Sequence, residues 1–164
     1  MDYGWMSLTD EEEKELWSRF IKLFHPRPSK TIFPSYIPTP FIQYDISNCY
    51  TEEFIRDFEN KAASAFQSCT TPGEHLYALD WQHECYLVDA RKEFPRHVPW
   101  RIDNGDWIIS IFPDGDYHFF LASDFSWGIL GHPWEESITI YGEKILSYFL
   151  KEHPLMLKRL IRQG

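Results

Sequence analysis

The run DWIISIFPDGDYHFFLASDFSWGIL (106–130) constrains the fold most. Three apolar stretches, 106–112, 117–122 and 126–130, are separated by tight polar turns. Asp114-Gly115 between the first two is a strong hairpin signal, because glycine reaches the positive φ such turns need. Strands joined this closely can only pair antiparallel, since a parallel pair requires a long crossover. The C-terminal half therefore reads as an antiparallel meander. HLYALDWQHECYLVD (75–89) adds one long or bent strand, and FIQYDIS (41–47) an earlier one. SITIY (137–141) either extends the sheet or opens the last helix.

The N-terminal half reads as helices. Thr9 can cap a first helix, with Glu12 three residues on as a capping box requires, and Asp10 to Glu13 complement the helix dipole. Leu16, Trp17, Phe20, Ile21 and Phe24 recur at helical spacing. A second helix follows Thr51, with Phe54, Ile55, Phe58, Ala62, Ala65 and Phe66 on one face. From Gly142 a third carries Ile145, Leu146 and Phe149. Pro154 interrupts it, and a short amphipathic helix with Lys158, Arg159 and Arg162 is expected to finish the chain. The proline-rich segment 26–40 reads as an extended strap over the core, and 91–106 as a loop. The expectation is one domain over residues 1–164, of α+β class, with an antiparallel β-meander sheet and helices packed on one face.

Composition narrows the function classes. The net charge of −9 repels phosphate backbones, so nucleic acid is not expected as a partner, whereas a basic protein would be attracted. Aromatic residues make up 18%, enough for a core thick with rings or for anchors on a binding surface. Cys49, Cys69 and Cys85 form no zinc or redox spacing. No apolar run has the length of a membrane span, and the acidic N-terminus resembles no targeting segment. A cytoplasmic protein without a cofactor is expected.

Three polar clusters could carry chemistry: DWQHE (80–84), PDGDYH (113–118) and GHPWE (131–135). They offer Asp80, His83, Glu84, Asp114, Asp116, His118, His132 and Glu135. One reading is a non-enzymatic protein-binding module with an acidic, aromatic face formed by Trp81, Asp114, Asp116, Trp127 and Trp134. Its partner would be basic, such as the toxin domain that an immunity protein neutralises. The alternative is a metal-dependent hydrolase using His83, Asp80, Asp116 and His132, residue types that bind zinc, iron or manganese. No HExxH, HxH, GxSxG or phosphate loop is present, and the same residues also suit turns, so the sequence favours the binding module.

The blocks YALDWQHECYLVD, IFPDGDYHFFLASDFSWGILGHPWE and ITIYGEKIL resemble the hallmark blocks of an uncharacterised bacterial family, domain of unknown function 2716, whose members occur mainly in Bacillus-like Firmicutes. The resemblance runs from the Trp17 helix to the final helix. It implies no activity and assigns no catalytic residue.

Overall fold

The computed structural model describes residues 4–27, 34–92, 107–113 and 115–164. Its described residues form strands β1 (Trp5–Ser7), β2 (Phe41–Asp45), β3 (Leu76–Asp80), β4 (Cys85–Val88), β5 (His118–Ala122), β6 (Gly128–His132), β7 (Ser137–Tyr141) and β8 (Arg159–Gln163), and helices α1 (Asp10–Phe24), α2 (Glu52–Cys69) and α3 (Glu143–Lys151). The strands make one sheet in the order β1-β4-β3-β5-β6-β7-β2-β8, with every neighbouring pair antiparallel. The α+β class and the β5-β6-β7 meander are as expected.

The helix starts follow their local chemistry. Thr9 Oγ1 accepts from Glu12 N at 3.2 Å, and Glu12 Oε1 accepts from Thr9 N at 3.1 Å, closing the capping box. Thr51 caps α2 through Phe54 N at 3.2 Å. Gly142 precedes α3 with φ +97°, and a Cβ there would stand 2.5 Å from the Ser126 carbonyl oxygen, so only glycine fits.

The helices do not share one face. Side chains on a strand alternate between the two faces of a sheet. On β5, Phe119 and Leu121 pack with Leu16, Phe20 and Phe24 of α1, while Phe120 and Ala122 pack with Ala62 and Phe66 of α2 and with the α3 side. Phe20 stacks on Phe119 at 4.8 Å, and Phe66 stacks on Phe120 at 5.6 Å on the other side. The expected single covered face is thus corrected: the sheet is sandwiched, with α1 on one side and α2 and α3 on the other. This is why β5, β6 and β7 are buried at all five of their positions and read as continuous apolar runs, a pattern usual for strands covered on both faces.

Three further expectations change. The segment 75–89 is a hairpin, β3 and β4, that turns at Trp81 to Glu84. Residues 107–112 are not a strand, and β5 pairs instead with β3 and β6. Trp107, Ile109, Ile111 and Phe112 are nonetheless buried against the α2 side, and the carbonyls of Ser110 and Phe112 face a His118 ring nitrogen rather than a strand. The stretch after Pro154 is strand β8 rather than a helix. Pairing there occupies the edge of β2, and Phe41 and Gly164 continue the ladder with two 3.0 Å hydrogen bonds. No described helix is long and apolar enough to cross a membrane.

Candidate functional site

β3 and β5 run antiparallel with Asp80 opposite His118, so the two side chains share a face. After Asp80 the chain reverses. Gln82 N donates to Asp80 Oδ1 at 3.2 Å and to Asp116 Oδ2 at 2.9 Å, and Tyr117 N donates to Asp116 Oδ1 at 2.8 Å. The turn thereby draws both carboxylates together and swings His83 over them. His83 Nδ1 lies 3.0 Å from Asp80 Oδ1 and 3.5 Å from Asp116 Oδ2. Behind them, His118 Nε2 is 3.3 Å from Asp80 Oδ2, and its Nδ1 is 3.1 Å from the carbonyl oxygens of Ser110 and Phe112. Carbonyl oxygens only accept, so Nδ1 carries a hydrogen and Nε2 is the atom presented to Asp80.

Electrostatics divide the two carboxyls. Burial pushes Asp80 upward, but hydrogen bonds from His118, Asp116 and His83 outweigh it and hold the group well below the usual carboxylate range. Burial, then the hydrogen bond to Asp80, pushes Asp116 up to about 6. The hydrogen bond to Asp80 raises His83 above an ordinary histidine. Two adjacent carboxyls oppose each other's ionisation, and Asp116 is the harder of the two to ionise. The Asp80 and Asp116 side chains are only 10% and 6% exposed, whereas His83 is 71% exposed and closes the cluster from the solvent side.

Asp80, His83 and Asp116 can each offer one ligand atom, and these atoms lie within 4.8 Å of one another. A tetrahedral ion with bonds of about 2.0–2.2 Å has ligand separations of about 3.3–3.6 Å. The distances from His83 Nδ1 to the two carboxylate oxygens, 3.0 and 3.5 Å, bracket most of that range. Three protein ligands leave a coordination position open, as in hydrolytic metal sites. His118 sits where an outer partner fixes a ligating carboxylate.

The other predicted residues do not converge here. His132 is buried beside Tyr117, ring centroids 5.0 Å apart, on the opposite face of the sheet, and its Nδ1 accepts from Glu135 N at 3.1 Å. Trp127 is 3% exposed and stacks on Phe66 at 5.7 Å, so it is core rather than a surface anchor. Asp116 is buried within the cluster. Trp81 is half-buried against Trp17 at 5.2 Å, Trp134 is 66% exposed, and Asp114 lies outside the described residues. Among the described residues, then, the five do not compose one acidic, aromatic face. The sequence offered His118 without selecting it. Its signal is the place of His118 at the start of the 117–122 apolar run, two residues after Asp116.

The family model for "Protein of unknown function (DUF2716)" matches residues 7–146 and so takes in every member of the cluster. The chain belongs to this family. It is similar to the uncharacterized protein YxiI of Bacillus subtilis (strain 168), 31% identical over 163 residues, covering 94% of this chain and 98% of that one. No solved structure matches. The family brings no activity with it, so the functional reading of this DUF2716 member rests on its own side chains.

Proposed function

We propose that Asp80, His83 and Asp116 bind one divalent transition-metal ion and that the protein is a metal-dependent hydrolase. The observation that carries this is the convergence of two carboxylates and an imidazole from the end of β3, the turn after it and the approach to β5, with ligand atoms within 4.8 Å of one another. The donor set of two oxygens and one nitrogen suits zinc, manganese or iron. An ion held by Asp80, His83 and Asp116 would supply Lewis acidity toward an ester or amide and an activated water. The chain's own part is to hold both carboxylates by the Gln82 and Tyr117 amides and to fix Asp80 through His118. Elemental analysis of the purified protein, followed by ester hydrolysis assays with zinc, manganese and iron added back, tests this. One metal per chain and metal-dependent turnover that Asp80→Asn abolishes is the expected result. Turnover indifferent to chelator and to Asp80→Asn contradicts it.

The binding-module reading keeps one supporting observation, the exposed indole of Trp134 between Pro133 and Glu135 in the β6–β7 turn of an acidic chain. On that reading a basic protein partner docks at this turn. Its affinity falls with ionic strength and with Trp134→Ala, and indifference to both would dismiss it.

A further inference from the structure

The two edges of the sheet are unlike. β1 is a three-residue edge, whereas β8 is a five-residue edge whose one strand neighbour among the described residues is β2. On β8, Leu160 is 56% and Ile161 37% exposed. Leu160 stands opposite Tyr44, and Tyr44 lines a cleft with Leu150 of α3, itself 80% exposed. A second groove joins Leu150 to Ile42 and Gln163. An apolar strip therefore lies alongside a strand edge that no further strand covers among the described residues.

The charge at this edge opposes that of the molecule. Residues 151–164 hold Lys151, Lys158, Arg159 and Arg162 against one acid, Glu152, in a chain of net charge −9. Arg159 reaches Asp45 at 3.8 Å yet keeps 75% of its side chain exposed, and Lys151 and Lys158 are also exposed. Arg162 is paired with Glu135 at 2.6 Å, so pairing β8 with β8 of a second copy would bring two exposed Arg159 side chains to one seam, which like-charge repulsion disfavours. A segment of opposite charge meets no such penalty.

We propose that β8 is a docking edge for an extended acidic segment of another protein. The segment adds as a ninth strand, its main chain pairs with β8, alternate apolar side chains enter the Leu150–Leu160 strip, and its carboxylates meet Arg159 and Lys158. This surface is independent of the metal cluster.

The test uses two capped, fluorescently labelled peptides, one of alternating glutamate and valine and one of alternating lysine and valine, read by anisotropy. The acidic peptide binds at least about tenfold more tightly, and rising salt weakens it. Leu160→Asp and Arg159→Glu each weaken it about fivefold or more, with far-UV circular dichroism unchanged because both sites are exposed. Equal affinity for the two peptides, no saturable binding, or binding untouched by both substitutions overturns the proposal. Sedimentation showing a dimer that Leu160→Asp dissolves overturns it too, since the edge would then be a self-interface.

Discussion

Trp127→Ala separates core from surface among the aromatic residues. Trp127 enters β6 beneath α2, is 3% exposed and stacks on Phe66 at 5.7 Å. Burying an indole removes about 200 Å² from water. At about 25 cal/mol per Å² that is about 5 kcal/mol, and incomplete collapse around an alanine gives a measured loss of about 3–5 kcal/mol. In a chain of this size each kcal/mol lowers the melting temperature by about 2–4 °C, so a fall of roughly 6–20 °C is expected. Urea melts followed by far-UV circular dichroism give the free energy, with Trp134→Ala as the matched control. Trp134 is 66% exposed, and its loss should change stability by no more than about 0.5 kcal/mol. A cost under about 1 kcal/mol for Trp127→Ala, or equal costs for the two, refutes the assignment of Trp127 to the core.

The raised Asp116 carboxyl makes stability depend on pH. Asp116 is raised to about 6 from 3.8, so the folded chain holds this proton more tightly than the unfolded one. Its contribution is fully present below 3.8 and is lost as pH rises through 6. Asp80 is lowered, so its opposite contribution is lost only as pH falls below the usual carboxylate range and does not cancel the effect near neutrality. Chemical melts across the acid-to-neutral range should therefore show Asp116→Asn gaining on the wild type as pH rises, and parallel profiles would refute the raised Asp116 carboxyl. Gly142→Ala forces a Cβ to within 2.5 Å of the Ser126 carbonyl at φ +97° and should cost about 1–3 kcal/mol or more by the same melts. An unchanged midpoint would mean the α3 start is not fixed as described.

What was readable from the sequence was what local chemistry decides. Thr9 with Glu12, and Thr51, mark helix starts whatever packs on them, because a cap satisfies amides within the same turn. The short runs ending at Ala122 and Leu130 show strands by composition, whereas 137–141 was open to strand or helix until its pairing with β2 and β6 decided it. What failed was long-range. Ile109 and Ile111 look like a strand, but whether they pair depends on β3, which lies beside β5 in their place. Arg159 to Gln163 has a pattern open to helix or strand, and the choice follows from the vacant edge of β2. The two covered faces were hidden because continuous apolar strands do not say which helix lies on which side. The Asp80–His83–Asp116 cluster was half legible. Asp80 and His83 share one turn and Asp116 lies 33 residues beyond His83, so only the β3–β5 register joins them. The β5–β6 register, with His118 opposite Gly131, sends His132 to the other face.

Isothermal titration of zinc and of manganese into the metal-free protein at neutral pH addresses the metal site without assuming a substrate. The site as built predicts one ion per chain for the wild type, binding lost in Asp80→Asn and in His83→Ala, and binding retained in His132→Ala. No saturable binding of either ion, or full binding after removal of Asp80 or His83, would show that the two carboxylates and the imidazole serve to brace the β3–β4 turn against β5 and hold no metal.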